Sequence, residues 1–334
     1  MLDNFDHRQA AHCESGVISS LLRNAGLNIS EPMVFGLSGA MTFAYIPLIK
    51  IGGMPLISYR MPPGRIVKGV TRRLGVAMAF ERFRHPETGM QALRRHLDAG
   101  QPVGLQSSVY WLPYFPEDMR FHFNAHNMVA YAYEENNFLI SDPTFESTVV
   151  AEAEALQKAR FVRGTLAPKG LLYYPSRIPP TVDYTKAIAQ AIQQNTNMML
   201  RTPLPIVGVR GIRFMSRKIR RLASQHDKNE AHNKLYIGHM VRMQEEIGTG
   251  GGGFRFLYAS FLQESATLLQ MPELLKVSSS FTDVGDEWRR YALYAAKMIK
   301  GRMAMDYDKL ADQLLLLAGQ EEDAYRQLQA IAFK

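Results

Sequence analysis

His12-Cys13-Glu14-Ser15-Gly16, running on into Val17-Ile18-Ser19-Ser20-Leu21-Leu22-Arg23-Asn24-Ala25-Gly26, contains the only cysteine of the 334-residue chain. Val17, Ile18, Leu21, Leu22 and Ala25 recur at helical spacing, and Gly26 stands where a helix commonly stops, so the pattern predicts a helix over 14–25. A thiol just ahead of it faces unpaired N–H groups and the positive end of the helix dipole, which favour thiolate over thiol. Cys13 is therefore a candidate nucleophile.

Two partners follow in chain order. His126 opens the apolar run His126-Asn127-Met128-Val129-Ala130-Tyr131-Ala132-Tyr133, and Asp142 closes Phe138-Leu139-Ile140-Ser141-Asp142. The polar turn Glu134-Glu135-Asn136-Asn137 lies between them. Two strands joined by that turn return Asp142 to the neighbourhood of His126, where a carboxylate can orient the imidazole that activates the thiol. Spacing alone also fits a buried structural cysteine.

Composition narrows the setting. At 334 residues and 46% hydrophobic, the chain is long enough for two domains and is not disordered. One cysteine excludes an internal disulfide and fits a reducing compartment. The start, Met1-Leu2-Asp3-Asn4-Phe5, lacks the basic and apolar regions of a signal peptide, so a cytoplasmic location is expected. The uncharged stretch 32–49 contains Gly36, Ser38, Gly39 and Pro47, and reads as a packed loop or buried segment rather than a membrane span. The net charge of +8 is local: between Asp183 and Asp227 there are eight basic residues and no acid, and the remaining 31 basic residues equal the 31 acidic ones.

The first half reads as helices followed by strands, an α+β order. Ser30-Glu31-Pro32 has the chemistry of a helix start, and Thr88 with Gln91 has capping-box spacing ahead of Leu93 and Leu97. Strands are expected at 103–111, 126–133, 137–142 and 170–174. Pro175-Ser176-Arg177-Ile178-Pro179-Pro180 reads as a linker, placing the domains at 1–175 and 176–334. The second domain reads as helical at 184–200, 233–247, 254–270, 272–299 and 305–331. Gly248-Thr249-Gly250-Gly251-Gly252-Gly253 reads as a flexible connector, lacking the Lys-Ser/Thr of a phosphate loop.

The segments His12–Gly16, 31–40, Leu112-Pro113-Tyr114-Phe115, Ala125-His126-Asn127 and Ser141-Asp142-Pro143 resemble the N-terminal domain of the butirosin biosynthesis protein H family. Residues 248–264 and Trp288 are similar to the helical domain of unknown function that accompanies it. The resemblance covers nearly the whole chain. It implies a papain-like α+β fold followed by a mostly helical domain, and a cysteine acyltransferase with the triad Cys13, His126 and Asp142. Its donor would be an acyl carrier protein thioester and its acceptor a small molecule bearing an amine or hydroxyl. No bound cofactor or metal is expected, because phosphopantetheine arrives on the carrier. Peptidase, amidase or thioesterase chemistry on the same triad, and a noncatalytic binding protein, are the competing readings.

The chain departs from the pattern at Ala11, where a glycine is expected, and at His7, where papain-like enzymes place an oxyanion glutamine. That leaves the Cys13 N–H, Gln9 and His7 as oxyanion candidates. Asn127 reads equally well as a strand residue facing solvent. Tyr110, Trp111, Tyr114 and Phe115 are candidates for walling an acyl pocket, with a core strand as the alternative. In the basic segment 201–222, Arg213, Arg217, Lys218, Arg220 and Arg221 are candidates for docking an acidic carrier protein. Their interleaving with Ile212, Phe214 and Ile219 also suits contact with a membrane surface, and no nucleic-acid recognition motif is present.

Overall fold

The computed structural model describes residues 5–333. Its contacts divide the chain into two units, Met1–Val34 with Ile66–Val182, and Phe35–Arg65 with Asp183–Lys334. From the N-terminus to Arg177 the elements are, in chain order, α1 (Cys13–Asn24), α2 (Glu31–Ser38), β1 (Met41–Ile51), β2 (Met54–Arg60), α3 (Arg65–Leu74), β3 (Ala77–Glu81), α4 (Pro86–Asp98), β4 (Val103–Ser107), β5 (His126–Glu134), β6 (Asn137–Ser141), β7 (Val149–Glu152), α5 (Ala153–Phe161) and β8 (Leu172–Arg177). The chain leaves this unit within α2 and returns at α3.

Six strands form one antiparallel sheet in the order β3-β8-β4-β5-β6-β7. Alternation along β4 and β5 sends Val103, Leu105, Met128 and Ala130 into a core with Leu93 of α4, Leu156 and Ala159 of α5, and Phe138 and Ile140 of β6. The intervening residues face the other way, where α1 packs against β4, β5 and β8 with Val17, Ile18, Leu21 and Leu22 buried. An antiparallel sheet with a cysteine-bearing helix against it is an α+β arrangement, the class expected from the sequence.

Several local expectations change. The strand expected at 103–111 ends at Ser107 and gives way to a 3-10 turn over Val109–Trp111, because Ser108 N–H turns to Ala159 O and Val109 N–H to Phe123 O. α4 starts at Pro86, not at a Thr88 cap, as the ring's fixed φ suits a first helical turn. Pro175 lies inside β8 instead of opening the linker. It pairs with Met78 next to a register shift, where a missing N–H is tolerated.

The second unit adds α6 (Tyr184–Leu200), α7 (Gly208–Leu222), α8 (His226–Glu245), α9 (Arg255–Leu269), α10 (Pro272–Ile299) and α11 (Tyr307–Ala330). It also takes the β1–β2 hairpin, which a boundary at 175/176 assigned to the first domain. The stretch 32–49, expected as a loop or buried segment, is most of α2 and β1. The hairpin's aromatic residues explain its membership. Phe43 and Tyr59 meet Trp288 of α10 with ring centroids at 6.0 and 5.5 Å, and Tyr45 meets Phe214 of α7 at 5.6 Å. Tyr45 N–H also donates to Ile206 O at 2.9 Å.

The glycine run is a packed joint, not a flexible connector. Gly252 and Gly253 are buried at positive φ, a Cβ on Gly253 would stand 2.3 Å from the Tyr59 ring, and Gly252 N–H donates to Glu245 Oε1 at 3.2 Å. Arg255 follows, fully buried, with Nε 2.6 Å from Glu321 Oε1, which also accepts from Trp288 Nε1 at 2.8 Å.

Candidate functional site

The helix that begins at Cys13 is started by two side-chain devices, an imidazole and a carboxylate. His12 is its N-cap, with Nδ1 accepting from Ser15 N–H at 3.3 Å. Glu31 reaches back from α2, taking Ala11 N–H, His12 N–H and Ser15 Oγ–H at 2.8 Å each. Burial pushes the Glu31 carboxyl up against the pull of those three donors. Glu14, also buried, accepts from Ile66 and Val67 N–H at 3.0 and 3.1 Å and so caps α3. A Cβ at Gly16 would stand 2.6 Å from Ala10 Cβ and 2.9 Å from Pro143 Cβ. Only glycine lets α1 come that close to the Asp142–Pro143 turn, which Ala10 N–H also holds through Pro143 O at 2.9 Å.

Cys13 is partly exposed at the end of α1, beside the first residues of β5. His126 Nε2 lies 2.7 Å from Asp142 Oδ2, and the imidazole also hydrogen-bonds Cys13. Asp142 is wholly buried and has further donors in Tyr114 Oη–H at 3.0 Å on Oδ2 and Thr144 N–H at 3.0 Å on Oδ1. Burial disfavours the imidazolium, but the charge and hydrogen bond of Asp142, with Cys13 behind them, outweigh it and raise His126 to about 10. Burial likewise opposes the carboxylate, yet His126, the Thr144 N–H and Tyr114 hold Asp142 below its ordinary range. The geometry thus favours an imidazolium between a carboxylate and a sulfur, and a sulfur beside a cation is the form of cysteine that reacts with carbonyl carbon.

The structure revises the surrounding candidates. Gln9 Nε2 donates to Thr144 O at 3.3 Å, and His7 bridges Ser141 Oγ at 2.7 Å and Phe145 O at 3.1 Å, so both tie the N-terminal segment to the 141–145 turn. Asn127 is buried instead of facing solvent, and its side-chain amide approaches the sulfur, with Nδ2 3.9 Å from Cys13 Sγ. Tyr114 spends its hydroxyl on Asp142, and Phe115 is buried with its ring edge-on to His126 at 5.5 Å. These two pack against the Asp142–His126 pair. Tyr110 stacks on His122 at 4.1 Å, and Trp111 lies under Lys158 Nζ at 5.7 Å in a cavity of about 970 Å³ lined also by Asn137, Glu152 and Phe161. Their contacts are with α5 and the 117–122 loop, a consequence of the 3-10 turn that replaces the expected strand.

The basic segment is α7, and part of its charge is already paired within the second unit. Arg213 Nη2 lies 2.6 Å from Glu322 Oε2, and Arg220 pairs with Asp308 at 2.9 Å and with Asp312. Those two arginines fasten α7 to α11 and leave the docking set. Arg217 and Lys218 lie over the Phe214 ring at 5.7 and 5.5 Å, and Arg217 and Arg221 are exposed. Among the described residues no helix is long and apolar enough to cross a membrane.

Residues 12–143 match the family described as Butirosin biosynthesis protein H, N-terminal, and residues 154–328 match the Domain of unknown function DUF4872. The second match begins inside the sheet-bearing unit, so it takes in α5 and β8 as well as the helices that follow. A solved structure from Bacillus anthracis described as a C39-like peptidase is similar at 17% identity and a TM-score of 0.38, over 54% of this chain and 98% of its own. No curated protein matches the chain. The chain belongs to the family in which the butirosin biosynthesis protein H N-terminal domain is followed by DUF4872.

Proposed function

We propose that this protein is a cysteine-dependent acyltransferase that takes an acyl group from an acyl carrier protein thioester and delivers it to a small-molecule amine or hydroxyl. The observation that carries the reading is the linear relay of Asp142, His126 and Cys13 at the N-terminus of α1. In the first half-reaction Cys13 Sγ bonds to the thioester carbonyl carbon while the carbonyl π pair moves onto oxygen. Collapse of that intermediate breaks the bond to the phosphopantetheine sulfur, which leaves with the proton of His126. In the second, neutral His126 takes the proton of the acceptor as it attacks, and Cys13 departs as thiolate. Asp142 keeps the ring oriented and offsets its charge throughout.

Exchange between two thioesters is nearly balanced, so little driving force is needed to load the enzyme, and the outcome rests on whether water or acceptor reaches the acyl-enzyme. The match to a biosynthetic family supports transfer. Carrier proteins are generally acidic, and Arg217, Lys218 and Arg221 on α7 supply a cationic surface for them. The donor brings its own phosphopantetheine, so no protein-bound cofactor enters the proposal.

The test is single-turnover mass spectrometry with isotopically labelled acyl carrier protein. Transfer predicts that label moves to the enzyme, persists without acceptor, and appears on an amine or alcohol when a suitable one is supplied. Rapid release as free acid across a broad acceptor panel, with none acylated, would make the protein a thioesterase or peptidase. No labelled enzyme at all would favour a noncatalytic binding protein.

A further inference from the structure

We propose that Asn127 supplies the side-chain donor of the oxyanion hole and that Tyr173 is the positioning residue that aims it; the assignment rests on Cys13 being the acyl-accepting nucleophile. Asn127 is the second residue of β5 and follows His126 directly. Neighbouring strand residues point to opposite sides, so the two side chains approach Cys13 by different routes, imidazole from one and amide from the other. Nδ2 donates to Ala125 O at 3.0 Å and lies 3.9 Å from Cys13 Sγ. Oδ1 accepts from Tyr173 Oη–H at 2.8 Å.

These contacts settle which way the amide faces. A carbonyl oxygen can only accept, so the atom beside Ala125 O is the nitrogen, and the remaining N–H is on the sulfur side. When Sγ bonds to a carbonyl carbon, the oxyanion forms two bonds from the sulfur. A donor just under 4 Å from Sγ is placed to reach it at the ~3 Å separation that an oxyanion hole requires. The ground-state contact with sulfur is long, so the amide gains most when charge develops on oxygen, which is the condition for lowering a barrier.

Tyr173 is built to hold this orientation. It comes from β8, its ring is buried, and a Cβ on Gly104 of β4 would stand 2.4 Å from that ring. Burial, with the negative charges of Glu14 and Cys13, keeps the phenol well above its ordinary value, so it remains a donor at working pH. The familiar papain-like position is His7 in this chain, and it is committed to Ser141 and Phe145. Asn127 thus fills a role that the N-terminal segment leaves open.

The test separates a reaction that makes an oxyanion from one that does not. p-Nitrophenyl acetate acylates a thiolate through a tetrahedral oxyanion, whereas iodoacetamide alkylates it by displacement at saturated carbon. Asn127→Ala should slow acylation of Cys13 by about 10²–10³-fold, and Asn127→Asp, which keeps the shape but presents an acceptor, should slow it at least as much. Asn127→Ala should keep an alkylation rate of the wild-type order and the wild-type pH profile, whereas the new carboxylate of Asn127→Asp, close to Sγ, should move its alkylation profile to higher pH. Tyr173→Phe should lose about tenfold in acylation, the value of one net hydrogen bond, again with alkylation spared. If either Asn127 variant acylates at the wild-type rate, or if alkylation of Asn127→Ala falls in parallel with its acylation, the assignment is overturned. A wild-type protein that is alkylated at Cys13 but never acylated overturns the acyl-transfer reading instead, and this assignment with it.

Discussion

Asp142→Asn is the substitution whose consequences the geometry specifies most fully. The carboxylate satisfies three donors, with Oδ2 taking His126 and Tyr114 and Oδ1 taking Thr144 N–H. An amide of the same shape has one acceptor, so in either orientation a buried donor faces a donor, which costs about 1–3 kcal/mol. The larger effect is electronic. Without the charge and hydrogen bond of Asp142, burial pulls His126 down from about 10, towards the neutral ring. A neutral ring no longer stabilises the Cys13 thiolate, and its tautomer is no longer fixed, so acylation should fall by about 10³-fold, within the usual worth of a positioned base. The assay is the pH profile of iodoacetamide alkylation, which follows thiolate. Its apparent pKa should rise in the variant towards the reference of about 8.5. An Asp142→Asn protein with the wild-type profile would refute the linkage between carboxylate, imidazole and sulfur.

The same pair sets a pH dependence of stability. His126 is raised in the folded state, so its contribution is complete below 6.5 and is lost as pH climbs through about 10; Asp142 is lowered, so its contribution is complete above 3.8 and is lost on further acidification. The melting difference between wild type and Asp142→Asn should therefore be larger at pH 6 than at pH 10, and equal differences would contradict the assignment. Tyr114→Phe should slow acylation about tenfold with little loss of fold, by removing one hydrogen bond from Asp142. Arg217→Glu with Lys218→Glu and Arg221→Glu should slow association with carrier protein most at low salt, whereas Arg220→Glu, facing Asp308 and Asp312, should chiefly lower stability. Trp111→Ala should leave the ratio of hydrolysis to transfer near wild type, because the ring packs by Lys158 instead of over the thiol.

What the sequence reveals of the site is what local rules govern. A helix start fixes Cys13, and a strand–turn–strand fixes His126 against Asp142, since Ala130 pairs with Ile140 and Glu134 with Asn137 across one hairpin. Helix periodicity in the second half is similarly local, and the elements expected at 184–200 and 272–299 match α6 and α10. What escapes the sequence is decided by distant partners. Tyr173 reaches Asn127 because β8 lies beside β4 in the sheet, and nothing in either residue's neighbourhood announces it. Arg213 and Arg220 look like a docking face until α11 brings Glu322, Asp308 and Asp312 to them. The aromatic run 110–115 reads as one wall, but a 3-10 turn splits it, sending Tyr110 and Trp111 to the surface and Tyr114 and Phe115 behind the triad.

The central claim is that Cys13 carries the acyl group. The most direct measurement is intact-protein mass spectrometry with peptide mapping after brief mixing with acylated carrier protein, for wild type, Cys13→Ala and His126→Ala. The account predicts one acyl adduct mapped to Cys13 in wild type, none in Cys13→Ala, and one formed about 10²–10⁴-fold more slowly in His126→Ala. An adduct of wild-type yield in Cys13→Ala, or unchanged formation in His126→Ala, would contradict it.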